Sequence, residues 1–191
     1  MSEDEKLVHK SNIGESIYKI IIIGDPAVGK TSLVTKFATK KFEKKYLPTV
    51  GVNIVKKKLD MEIDDKQLEV NLMIWDIAGQ PQFYMLHKPY FNGADGMLLA
   101  FDVTRSSTFS NIKNWYKTAV KYGLSRIPRL LIGNKVDLKE ERKIIRPMAT
   151  HLAEELNATF FETSAKTGQN VDKIFRKISE LLYHSKKKPL K

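Results

Sequence analysis

Gly24-Asp25-Pro26-Ala27-Val28-Gly29-Lys30-Thr31 holds the residues best suited to chemistry. A glycine-rich turn leading from a strand into a helix aims several backbone N–H groups at one point. Those groups and the helix dipole favour an anion. The spacing G-x-x-x-x-G-K-T adds a lysine for outer phosphates and a hydroxyl for Mg²⁺. Asp76, at the end of another apolar run, can hold Mg²⁺ through water. Asn134-Lys135-x-Asp137 follows a further apolar run. A carboxylate there can accept two hydrogen bonds from the adjacent N–H and NH₂ of a guanine edge. Adenine presents no such pair and would leave the carboxylate unsatisfied, so the site would reject it. The N–H of Ala165 would then meet the guanine oxygen, and the stem of Lys135 would cover one face of the base.

These residues need elements to position them. Tyr18 to Ile23 is a nearly continuous β-branched run, as in a strand buried on both faces. A helix to about Thr39 follows the phosphate loop, with Val34 and Phe37 facing inward. Lys40 to Gly51 reads as a loop; Pro48 disfavours helix at Leu47, and a loop this long is usually functional. Val50 to Met61 and Leu68 to Trp75, closed by Asp76, read as antiparallel strands joined by a turn at Asp64-Asp65-Lys66. Pro81 opens a short helix to about Tyr90. Met97 to Val103, Arg129 to Ile132 and Thr159 to Glu162 complete six strands. Phe109, Ile112, Trp115, Tyr116 and Ala119 recur at helical spacing and read as core packing. Helices are expected over Pro147 to Leu156 and over the stripe Val171, Ile174, Phe175, Ile178, Leu181 and Leu182. Strands alternating with helices imply a mostly parallel sheet covered on both faces. The chemically unusual loops all follow strands and would meet at the sheet's carboxyl edge.

The chain has 191 residues, 42% of them hydrophobic, enough for one core. Residues 1–15 read as a mobile polar arm, 16–184 as the folded domain and 185–191 as a basic tail. The absence of cysteine excludes disulfides and thiolate metal sites. With Ser2 as the second residue, the expectation is a cytoplasmic chain without a lipid anchor. The net charge of +11 points to acidic partners. Its lysine runs (40–41, 44–45, 56–58, 186–188) lack interleaved aromatics, so a solvated face outweighs nucleic-acid binding.

GDPAVGKT, the Thr49 loop, WDIAGQ, GNKVD and ETSAK stand in this order over about residues 17–183. Together they resemble the small GTPases of the Ras superfamily, most closely the Rab branch. The resemblance implies a P-loop GTPase fold: a six-stranded, mostly parallel sheet with one antiparallel strand and helices on both faces. It implies GTP or GDP as ligand, Mg²⁺ as cofactor, and slow hydrolysis without an activating protein. The implied phosphate-binding set is Asp25, Ala27, Val28, Gly29, Lys30, Thr31 and Ser32. Thr31, Thr49 and Asp76 would serve the metal, Thr49 only when a γ-phosphate is present. The N–H of Gly79 would touch that phosphate and Gln80 would orient the attacking water, with Lys30, Thr49 and Gln80 as the catalytic set. Phe42 would pack edge-on against the base and Tyr46 would lie over the phosphates. Asn134, Lys135, Asp137, Ser164, Ala165 and Lys166 would form the base site. Loss of the γ-phosphate would relax the loops 40–51 and 76–90, the signal read by effectors, with an exchange factor and an activating protein as further partners.

The sequence departs from the family at several points. Pro26 stands where Ras has glycine and Rab proteins usually have serine; it removes an N–H and fixes φ beside the γ-phosphate. Pro81-Gln82-Phe83 replaces the usual glutamate and arginine before the aromatic. Val50 to Ile54 only approximates the Rab pattern, and the C-terminal cysteines are lacking. No arginine is expected in the catalytic loops, with Arg105 and Arg126 placed elsewhere. The lysines at 186–188 would give weak attraction to anionic lipid, on the order of 1 kcal/mol each. A GTP-hydrolysing switch is the leading reading, a scaffold that holds guanine nucleotide with little hydrolysis the second, and a basic nucleic-acid binder, which would need strongly salt-dependent binding to oligonucleotides, the third.

Overall fold

The structure, a computed structural model, describes residues 14–42, 48–80 and 87–187. Its strands are β1 (Gly14–Ile23), β2 (Val52–Ile63), β3 (Lys66–Ile77), β4 (Gly96–Asp102), β5 (Arg129–Asn134) and β6 (Thr159–Glu162). The α-helices are α1 (Lys30–Thr39), α2 (His87–Phe91), α3 (Ser106–Ser110), α4 (Ile112–Lys121), α5 (Arg146–Glu155) and α6 (Val171–Lys187). The sheet order is β2-β3-β1-β4-β5-β6. β2 runs antiparallel to β3, and the other pairs are parallel. The expected architecture is therefore the observed one.

Alternation along β1 divides the core. Tyr18, Ile20 and Ile22 face a cluster completed by Leu33, Val34 and Phe37 of α1 and by Ile174, Phe175 and Ile178 of α6. Phe37 and Phe175 stack there with centroids 4.0 Å apart. Ile21 and Ile23 face the other cluster, with Ile112, Trp115 and Ala119 of α4 and Ala149 and Leu152 of α5. Burying one such side chain stabilises by about 1.5–3 kcal/mol. The two packed faces therefore fix the strand ends from which the site loops emerge.

Several boundaries shift for identifiable reasons. β1 begins at Gly14, two residues into the expected arm, because β3 is long enough to pair with it from Gly14↔Leu68 to Ile22↔Asp76. β2 starts at Val52, after Gly51 with φ 72, which leaves Val50 in the preceding loop. The hairpin turn is Asp64-Asp65 alone, both with positive φ (52 and 58), while Lys66 pairs with Ile63. That is the backbone a two-residue turn needs to match the strand twist. β5 absorbs Gly133 and Asn134, so part of the base motif lies in a strand. The helical stripe from Phe109 divides at Asn111 into α3 and α4. α6 continues to Lys187, into the expected tail. There Lys187 pairs with Asp64 at 2.9 Å, and Lys186 meets Asp95 at 3.6 Å and the Tyr18 ring at 4.5 Å. Among the described residues no helix is long and apolar enough to cross a membrane.

The sheet reverses direction of growth at β1, with β3 on one side and β4 on the other. A crevice at the carboxyl ends of such strands is the usual ligand position in an open parallel sheet.

Candidate functional site

The turn after β1 has a shape that side chains would prevent. At Gly24 (φ 145) a Cβ would lie 2.1 Å from the carbonyl oxygen of Ala100 in β4. At Gly29 (φ 99) it would lie 2.2 Å from Asn134 Nδ2. Glycine lets the loop pass between strand and base motif. Lys30, the first residue of α1, bends back over the loop and donates from Nζ to the carbonyls of Gly24 (2.7 Å) and Asp25 (3.0 Å). Burial lowers its pKa to about 8, against the opposing charges of Asp76 and Asp25, and nearby Arg105 lowers it further. An ammonium held this way gains from an arriving phosphate, which restores its favourable charge state.

The Asp25 side chain does not join the expected phosphate-binding set. Its Oδ1 accepts from Asn111 Nδ2 (2.6 Å) and Trp115 Nε1 (2.8 Å), which turns the carboxylate toward α4. A carboxylate facing phosphates would be repelled; here it anchors the loop from behind. Trp115, read from the sequence as core packing, also supplies that anchor.

Three oxygens converge beside Lys30. Thr31 Oγ1 donates to Asp76 Oδ2 at 2.5 Å and lies 2.8 Å from Thr49 Oγ1. Asp76 is fully buried, and its Oδ1 has no hydrogen-bond partner among the described residues. Burial raises its pKa, offset in part by the Thr31 hydrogen bond and the Lys30 charge. Two hydroxyls and a carboxylate with an unused oxygen are hard donors that fit Mg²⁺. The loop behind Asp76 rides on the phosphate loop: a Cβ at Gly79 would meet the Gly24 oxygen at 2.5 Å and the Pro26 nitrogen at 2.7 Å. Next to it, Gln80 lines the cavity, and its Oε1 is buried without a partner among the described residues.

The base end is a clip built on Asn134. Its Nδ2 donates to the Val28 carbonyl (2.9 Å), and its Oδ1 accepts from Thr163 Oγ1 (3.1 Å) and the Ala165 N–H (3.2 Å). The Ala165 N–H expected at the guanine oxygen is thus engaged within the protein, at the long end of the N–H···O range. Ser164 Oγ donates to Asp137 Oδ1 at 2.6 Å, while Lys166 Nζ stands 3.9 Å from Oδ2. Lys135, with φ 71, pairs through Nζ with Asp102 Oδ2 at 2.7 Å.

One cavity of about 460 Å³ joins both ends, a volume suited to a small-molecule ligand. Ala27, Gly29, Lys30, Thr31, Ser32, Phe42, Thr49, Gly79, Gln80, Asn134, Lys135, Asp137, Ala165 and Lys166 line it, all named from the sequence. Val28 and Ser164 act behind the wall, through the Asn134 and Asp137 bonds above. Tyr46 lies outside the described residues, as do Pro81-Gln82-Phe83. Thr35 and Leu138 also line the cavity and were not expected; Thr35 sits one helical turn beyond Thr31, a spacing that could have marked it. Arg105, placed by the sequence away from the catalytic loops, reaches one of them in the structure: its Nη2 donates to the Pro26 carbonyl at 2.9 Å. The two residues are far apart in sequence, and no local pattern links them.

The fold and this cavity define a phosphate-loop nucleotide-binding protein. The Ras family model matches residues 19–184. Ras-related protein Rab-13 of Rattus norvegicus is 39% identical over 165 residues, which cover 86% of this chain and 79% of that protein. Ras-related protein Rab-1 of Theileria parva is 40% identical over 167 residues, 87% of this chain and 74% of that protein. Ras-related protein SEC4 of Saccharomyces cerevisiae is 39% identical over 168 residues, 88% and 76% of the two chains. The chain belongs to the Ras family of small GTPases, near its Rab branch. It is a GTPase, which binds GTP and GDP and hydrolyses GTP.

Proposed function

We propose that the chain is a guanine-nucleotide switch whose unaided hydrolysis is slow and whose loops 40–51 and 76–90 report the γ-phosphate to partners. The carrying observation is the convergence of Thr31, Thr49 and Asp76 oxygens beside the buried Lys30 ammonium. Thr49 belongs to one loop and Asp76 begins the other, so a single phosphate-and-metal centre can order both. Lys30 binds the outer phosphates. Thr31, Thr49 and Asp76 would hold Mg²⁺, which when bound neutralises charge on the transferring phosphoryl group. Gln80 accepts from the attacking water through Oε1, which has no partner among the described residues, and so orients it. Asp137 takes the two donors of the guanine edge, and the stem of Lys135 covers the base. An arginine supplied by an activating protein would add ~10³–10⁵ in rate.

The partners are an effector, an exchange factor and an activating protein, in membrane trafficking or signalling, from the cytoplasm or at a membrane surface. Lipid attraction through the tail would be weak. Lys186 and Lys187 already have carboxylate neighbours on the fold. The scaffold reading keeps one observation in its favour: Pro26 lines the cavity without an N–H to offer a phosphate.

The test combines nucleotide content with turnover. The purified chain is stripped, its nucleotide identified, and phosphate release followed from loaded GTP with Mg²⁺ in a single turnover. Guanine nucleotide is expected, with release falling on the order of tenfold in Gln80→Leu, about 1.4 kcal/mol of barrier. Equal rates for the two proteins would favour the scaffold. No guanine nucleotide, and none bound on addition, would end the assignment of Asp137.

A further inference from the structure

Arg105 follows β4 by three residues, outside every motif above, yet it touches the phosphate loop. Nη2 donates to the Pro26 carbonyl at 2.9 Å, and Nε donates to Asp102 Oδ2 at 3.1 Å. Asp102 is buried, and the same Oδ2 pairs with Lys135 Nζ at 2.7 Å. Its Oδ1 takes the Thr104 N–H (2.9 Å) and hydroxyl (2.7 Å). The Arg105 backbone is fixed too: its N–H donates to the Asp102 carbonyl, and its own carbonyl accepts from Thr108.

The corner that Arg105 grips is an unusual one. Pro26 offers no N–H, and Ala27 occupies left-handed backbone at φ 61 without being glycine. A non-glycine residue in this region persists only when its surroundings over-determine it. In a planar trans peptide the C=O and the next N–H point in opposite directions. A donor that fixes the Pro26 carbonyl therefore fixes the direction of the Ala27 N–H, and both residues line the nucleotide cavity.

We infer that Arg105 is a positioning residue that clamps the Pro26–Ala27 corner of the phosphate loop to the base-covering Lys135 through the shared carboxylate of Asp102. Resting on the guanine-nucleotide reading above, this makes the grip on the phosphates depend on a side chain that touches no ligand. The planar fork matters because one guanidinium reaches two oxygens in fixed directions, which a lysine ammonium does not reproduce. A role as a distant positive charge would need only the charge.

The experiment measures GDP dissociation from the Mg²⁺-loaded full chain in four forms: wild type, Arg105→Ala, Arg105→Lys and Arg105→Ala with Asp102→Asn, beside Asp102→Asn alone. A lost charged hydrogen bond typically changes a rate by about tenfold or more. The clamp predicts faster release in Arg105→Ala by about that factor, nearly the same increase in Arg105→Lys, and persistence of the effect in high salt. Because both changes cut one chain of contacts, the double variant should release GDP no faster than Asp102→Asn alone. Full rescue by Arg105→Lys, or an effect abolished by salt, would replace the clamp with a simple field effect and overturn it. A lowered thermal midpoint with unchanged release would reduce Arg105 to a structural residue and overturn it as well. Wild type that retains no guanine nucleotide would remove the nucleotide reading itself, whereas retention with unchanged variant rates would remove the clamp alone.

Discussion

Asp102 carries opposing influences on one carboxyl. Burial pushes its pKa up, but hydrogen bonds from Lys135 and from the hydroxyl and N–H of Thr104 outweigh it and hold the group below its ordinary value of 3.8. A carboxyl depressed in the folded state stabilises the fold above its unfolded pKa, and that contribution is lost as pH falls through the folded value. The stability difference between wild type and Asp102→Asn should therefore be steady at neutral pH and shrink below about pH 4. Urea unfolding of both proteins across a pH series checks this. A difference that stays constant down to pH 3 would mean that the carboxylate's charge contributes nothing. Asp102 was not legible as a site residue. Phe101-Asp102-Val103-Thr104 reads as the end of a strand, and its partner Lys135 belongs to another strand end. That Lys30, Thr31 and Asp137 would meet at one cavity, with Asp76 beside Thr31, was legible because phosphate, metal and base would each demand a residue type at a fixed spacing.

At the scale of elements, the two loops proposed to switch leave the same open end of one antiparallel ladder. Val52 pairs with Ile77, and just beyond that pair the Ala78 N–H donates to the Gly51 carbonyl at 2.9 Å. Thr49 and Gly79 therefore flank the same junction. Gly79 is the contact point with the phosphate loop, where an added Cβ would strike backbone rather than a yielding side chain. Gly79→Ala should thus retain GDP while losing the GTP-specific docking of both loops. In wild type, amides near 49–51 and 78–80 should exchange more slowly with a non-hydrolysable GTP analogue than with GDP. In the variant the two profiles should coincide. Undiminished protection by the GTP analogue in Gly79→Ala would show that the loops close without this contact. The antiparallel pairing was readable from sequence, since no crossover helix fits between the two strand-like runs. The tie at Gly51–Ala78 was not, because register at a ladder's end depends on turn geometry and twist.

At the scale of the whole molecule, ligand and fold are energetically linked. The cavity is walled by residues from near each end of the chain, Pro26 to Lys166, and the core on both sheet faces ends beneath it. Lys30 in that wall has its pKa lowered to about 8, and behind Thr31 sits the fully buried Asp76 with one oxygen unpartnered among the described residues. Each is a cost that the folded chain bears without a phosphate or a cation to meet it. Anything that binds the folded state alone stabilises it, by ~4.1 kcal/mol at a thousandfold excess over Kd. For a domain of this size that is about 8–16 °C in Tm, at roughly 2–4 °C per kcal/mol. Removing nucleotide and Mg²⁺ with a chelator should lower Tm on that scale, and adding both back should restore it. Mg²⁺ alone should recover little, because it adds no negative charge beside the buried Lys30 ammonium, which phosphate would supply. ATP in place of GTP should recover little as well, because its base leaves Asp137 without the paired donors it needs. If chelation left Tm unchanged, the buried charges would be satisfied by the protein itself, and the linkage between site and stability would fail.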